Sequence, residues 1–147
     1  MRRAIAATLG AAALVLPNAS AFAAATAPKA APKKTKVVTA TKTFTGNAAE
    51  ADRWGPLQVT IVVKKTTTTN LATKKKKVTK RITAVKIPVY PDHTDRSIFI
   101  NQQALPILIQ ETMQAQSTSI DMVSGATNSS YAYEQSLQSA ILQARAW

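Results

Sequence analysis

The residues best suited to chemistry lie together near the end of the chain, at Ile120-Asp121-Met122-Val123-Ser124-Gly125-Ala126-Thr127-Asn128-Ser129-Ser130. A short apolar stretch leads into a run of tiny residues, and a helical pattern begins near Ser130. Gly125 and Ala126 let a ligand approach the backbone closely. Ser124, Thr127, Ser129 and Ser130 offer hydroxyls, and a helix starting here aims its unpaired N–H groups and positive dipole end at the same place. That combination suits a phosphate. By pattern alone, the same residues also read as an ordinary turn and helix cap.

Other candidate chemistry is sparse. Asp92, His93 and Asp95 form a polar cluster in a Pro-rich loop, where a lone histidine reads as solvated rather than as a metal ligand, so no metal site is expected. The chain has no cysteine, which removes disulfides, thiolate metal sites and haem attachment. It carries no Gly-rich dinucleotide loop and no acid–base dyad.

The elements that must position residues 120–130 can be read from periodicity. Leu57, Val59, Ile61 and Val63 alternate with polar residues, which predicts a half-buried strand. Its partner is the segment 82–90, where Val85, Ile87 and Val89 share one parity and Ile82 the other. A bulge near Thr83 would return Ile82 to the core face. Pro88 and Pro91 suggest an edge or a strand end. Ala104, Leu105, Leu108, Ile109, Thr112 and Met113 predict a helix over about 101–115; Asn101 is a candidate cap, which would leave Pro106 inside the helix. A second helix is predicted over about 130–146, with Tyr133, Leu137, Ala140, Ile141 and Ala144 on one face. This order predicts a small α+β domain: an antiparallel β-sheet with two helices packed on one face.

Flanking and interrupting this domain are segments of different character. Residues 1–23 combine a basic head, an apolar run over 4–16 and the small-x-small pattern Ala21-Phe22-Ala23, which predicts a secretory signal peptide and export through the Sec pathway. Residues 24–53 are expected to be a flexible Ala/Pro/Lys/Thr tether, leaving residues 54–147 as the domain. The formal net charge of the whole chain is +12. Five cations lie within 24–46 and eight within 64–81, with no acid in either segment, whereas the rest of the mature chain nets −3. The basic arm at 64–81 could be an extended hairpin or an irregular excursion. The absence of interleaved aromatics argues against nucleic acid and leaves a solvated loop or attachment to an anionic surface.

Specific residues add a resemblance. Asp121-x-x-Ser124-Gly125-Ala126-Thr127 resembles the flavinylation motif D-x-x-[ST]-G-A-[ST] of the FMN-binding domain family, which includes the covalent-FMN subunits of sodium-translocating NADH:quinone oxidoreductase and Rnf-type complexes. Gly55-Pro56-Leu57-Gln58-Val59, Ile100-Asn101-x-x-Ala104, Ala115-Gln116-Ser117 and Tyr133-x-x-Ser136-Leu137-Gln138-x-Ala140 are similar to its small secreted branch. The likeness spans about residues 54–146, and the basic arm departs from it. The resemblance implies FMN as cofactor, esterified through its phosphate to Thr127 by a separate Mg-dependent flavin transferase that uses FAD as donor. Ser124, Gly125 and Ala126 would form the recognised turn and Asp121 the motif acid; Asn128 and Ser129 follow as cofactor-binding candidates. Trp54, Tyr90, Tyr131 and Tyr133 are candidate ring neighbours, though each reads more readily as ordinary core or surface. The expected function is an exported electron carrier, served by a membrane redox partner, rather than an enzyme with its own substrate. The alternative is a flavin-free surface adapter that binds an anionic cell-surface polymer or lipid through its lysine-rich segments.

Overall fold

The computed structural model describes residues 34–147. The signal-peptide expectation for 1–23 and the first part of the tether, 24–33, lie outside the described residues. The chain forms, in order, β1 (Thr35–Thr45), β2 (Ala49–Glu50), a 3-10 turn (Asp52–Trp54), β3 (Pro56–Asn70), β4 (Lys76–Val89), α1 (Asp95–Ala115) and α2 (Thr127–Ala146). This is an α+β fold with a small four-stranded antiparallel sheet. β3 is central: β4 pairs with one side of it, and β1 and then β2 pair with the other.

Alternation along β3 does what its period of two requires. Leu57, Val59, Ile61 and Val63 are all but fully buried and form the floor of the core, beneath Leu105 and Leu108 of α1 and Tyr133, Leu137 and Ile141 of α2. Burying side chains of this size contributes roughly 1.5–3 kcal/mol each. Opposite them, Ile82 pairs with Val63 and Ala84 with Val62, so Thr83 is the extra residue of a bulge and Ile82 returns to the core. Thr83 Oγ1 donates to the Val62 carbonyl across that bulge (3.1 Å).

Three expectations need correction. Residues 35–45 are not part of a tether but a strand in register with β3, from Thr35 opposite Asn70 to Thr45 opposite Thr60. Only Phe44 of this strand is buried, so its order comes from the backbone ladder and β-branched Thr and Val, neither of which a hydrophobic pattern reveals. Order therefore begins well before Trp54. α1 begins at Asp95 rather than near Asn101, because Thr94 is its cap: Thr94 Oγ1 accepts from Ser97 N (3.1 Å). Pro106 is tolerated within α1 because it and Gln102, whose carbonyl loses its partner, are both on the exposed face. α2 begins at Thr127, three residues before the expected start.

The arm at 64–81 is the far half of the β3–β4 hairpin. Pairing continues to Thr69 opposite Lys76, and Asn70 organises the turn by accepting from Ala72 N (2.9 Å) and Thr73 N (3.2 Å) through Oδ1. Leu71 N donates to the Lys34 carbonyl (2.7 Å), which ties β1 to the tip. The departure from the sandwiched domain is thus a three-stranded ribbon.

Candidate functional site

Two structural neighbours make a cleft of about 270 Å³: the start of α2, and the loop and first two turns of α1. On the α2 side, Gly125 has φ 81°, a backbone region that favours glycine, and a Cβ there would meet nothing within 4 Å. Its requirement is therefore conformational rather than spatial. Ala126 N donates to the Val123 carbonyl (3.0 Å). Ser130 locks the turn from below: its Oγ donates to the Ala126 carbonyl (2.9 Å) and accepts from Val123 N (3.2 Å). Ala126 occupies the N-cap position and no side chain caps the helix, so the first N–H groups of α2 are left for a ligand or solvent.

The other wall comes from Pro91, Arg96, Ser97, Ile100 and Asn101, with Trp54 at the rim. Trp54 is placed by the 3-10 turn, which Ala51 N closes by donating to the Gly55 carbonyl (2.9 Å). Arg96 and the start of α2 line the same cleft, and a guanidinium and a helix N-terminus both favour an anion. Asn101 is 1% exposed. Its Nδ2 donates to the Pro91 carbonyl (2.8 Å), whereas its Oδ1 is buried without a hydrogen-bond partner. A buried acceptor of this kind costs roughly 1–3 kcal/mol until a donor meets it.

Of the seven residues expected in the site, Gly125, Ala126, Thr127, Asn128 and Ser129 line the cleft, while Asp121 and Ser124 do not. Both of those are exposed on the approach to the turn, and Asp121 N donates to Glu111 Oε2 (2.8 Å). Thr127 is exposed at the first position of α2. Among the four aromatic candidates only Trp54 lines the cleft. Tyr133 is core, its hydroxyl 2.8 Å from Thr112 Oγ1, and burial pushes its pKa up from 10.0 to about 12. Tyr90 and Tyr131 are exposed elsewhere. Arg96 and Ser97 carried no signal in the sequence. Asn101 did, as part of a recognised segment, but there it read as a cap. Among the described residues, no three His, Cys, Asp or Glu side chains gather into a metal-ligand group, and no helix is long and apolar enough to cross a membrane.

The donor set fits a phosphorylated group carrying its own hydrogen-bond donors: helix N–H groups and Arg96 for the phosphate, and Asn101 Oδ1 for an O–H or N–H further along. A family model described as FMN-binding domain matches residues 52–142, a span that includes every residue lining this cleft. No curated protein sequence matches the chain significantly.

Proposed function

Because the chain belongs to the FMN-binding domain family and FMN is its cofactor, we propose that this flavoprotein is an exported electron carrier whose flavin is held through a phosphoester on Thr127. The observation that carries this reading is that one cleft is lined by the exposed Thr127 at the uncapped start of α2, by Arg96 and by Asn101, whose buried Oδ1 lacks a hydrogen-bond partner.

FMN, when bound, supplies one- and two-electron redox chemistry. The chain's own residues bind and orient it. The N–H groups at the start of α2 and Arg96 would hold the phosphate, which keeps one negative charge as a diester. Asn101 would accept from the ribityl or ring donors, and Trp54 would flank the group at the rim. At about 270 Å³, the cleft lies below the roughly 300–1,000 Å³ of sites that enclose drug-sized ligands. Part of the cofactor would stay open to redox partners, as an electron carrier needs.

Loading requires a second protein. Thr127 Oγ1 attacks the FMN-side phosphorus of FAD, the P–O–P bond breaks, AMP leaves, and the hydroxyl proton passes to a base of a Mg-dependent flavin transferase. Asp121 and Ser124, exposed and off the cleft, suit recognition by that transferase better than contact with flavin. The basic head and apolar run of residues 1–23 support export, and a membrane redox partner would be the electron source.

The test is co-production with a flavin transferase. The denatured wild-type band should fluoresce, and its mass should rise by one FMN less one water on the peptide that contains Thr127. Thr127→Ala should remain folded and lose both signals. A colourless wild type of unaltered mass would refute the reading.

A further inference from the structure

The β1–β3–β4 ribbon is not absorbed by the flavin site. It carries Lys34, Lys36 and Lys42 from the β1 side and eight more cations between residues 64 and 81, without a single acid. Three of these cations serve the fold. Lys80 Nζ donates to the carbonyls of Ala144 (3.0 Å) and Arg145 (2.7 Å), Lys65 Nζ donates to the Trp147 backbone oxygen, and Lys42 lies over the Phe44 ring (5.4 Å to its centroid). The lysines beyond them, notably Lys74, Lys75, Lys76 and Lys77 at the tip, are exposed. Lys74 has φ 54°, a conformation in which glycine would sit without strain, yet a cation stands there.

The ribbon also exposes apolar side chains, on both of its faces. Leu71 at the tip is 58% exposed, Val37 58%, Val38 50% and Val78 51%. Val38 and Val78 flank Thr67 in register, so they share one face, while Leu71 crowns the turn between β3 and β4. Lysines on open edge strands guard against unwanted pairing, but exposed valine and leucine beside them work against that purpose. A soluble polyanion offers such side chains nothing. A bilayer of anionic lipid offers both headgroup phosphates and hydrocarbon. The distal half of the ribbon also has no aromatic on which nucleobases would stack.

We infer that the distal half of the ribbon is a docking surface for an anionic phospholipid bilayer, with Leu71 and Val78 entering the headgroup boundary and Lys74–Lys77 among the phosphates. The cleft is at the opposite end of β3, beside Trp54, while the tip follows Asn70. Fifteen residues of strand span roughly 50 Å, so docking leaves the cleft uncovered. The inference does not depend on the flavin reading.

Co-sedimentation of the full chain with vesicles tests it, using phosphatidylcholine with and without about one-third phosphatidylglycerol at roughly 0.15 M salt. All variants keep residues 1–33, whose contribution then cancels. Each lysine at an anionic surface strengthens binding about fivefold, so replacing Lys74, Lys75, Lys76 and Lys77 together by glutamine should weaken binding to the anionic vesicles several-hundredfold. Leu71→Ser should weaken it about tenfold. Lys86→Gln, the loss of a single lysine charge near the other end of β4, should leave it within about twofold, against about fivefold for one lysine at the surface. Thr127→Ala should bind as wild type does. Equal binding to neutral and anionic vesicles, or an unaffected four-lysine variant, would overturn the inference. So would an unaffected Leu71→Ser combined with release by soluble polyphosphate, which would make the partner a free polyanion, and so would tighter binding to single-stranded DNA than to vesicles.

Discussion

Replacing Asn101 by leucine separates what this side chain does for the fold from what it does for the cofactor. In the bare protein its two polar ends have opposite effects. The Nδ2 bond to the Pro91 carbonyl (2.8 Å) contributes roughly 0.5–1.5 kcal/mol, while the orphaned Oδ1 costs roughly 1–3 kcal/mol. Leucine of similar size removes both, so the bare variant should melt within a few degrees of wild type or slightly above it. With FMN attached at Thr127 the balance changes: a flavin donor meets Oδ1 in the wild type and meets only methyl groups in the variant. The flavin-dependent gain in stability should therefore shrink by about 1–3 kcal/mol. For roughly 110 ordered residues the unfolding entropy makes this about 4–13 °C of Tm. Because attachment runs through Thr127, occupancy should be the same in both proteins, and the difference of differences isolates the contact. The assay is differential scanning calorimetry of four samples: wild type and Asn101→Leu, each bare and flavinylated, with loading checked by mass. The same flavin-dependent rise in Tm for both proteins would refute the idea that Asn101 Oδ1 awaits the cofactor.

Two further outcomes follow from the fold. Ser136 Oγ accepts from Val59 N (2.8 Å) inside the core, at a residue that the β3–β4 ladder skips; Ser136→Ala should cost about 1–3 kcal/mol in denaturant unfolding while leaving flavin attachment intact. Tyr133 holds its phenol proton more tightly when folded than when unfolded, so the stability it confers is present below pH 10 and is lost as the pH rises through about 12. The loss should run at about 1.4 kcal/mol per pH unit within that window, and unfolding curves of Tyr133→Phe should lack this alkaline component.

Much of the site was legible because it is local. A phosphate-friendly turn needs small residues, hydroxyls and a helix start, and these are consecutive from Ser124 to Ser130. The bulge at Thr83 was also legible, since parity changes between Ile82 and Val85. Neither depends on knowing what packs across the chain.

What remained hidden depends on partners distant in sequence. β1 exposes all but Phe44, so no hydrophobic period marks it; its order follows from a ladder to β3 that composition cannot announce. Arg96 reaches the cleft only because Thr94 starts α1 early and packing sets that first turn beside α2. Asn101, a cap by sequence, becomes a buried amide with an unmet acceptor once Pro91 folds over it. Residue types and spacing determined the turn that offers Thr127, because turn chemistry is written in neighbouring residues. Which side chains face that threonine was decided only by the tertiary fold, because burial and hydrogen-bond satisfaction are properties of surfaces that meet, not of segments.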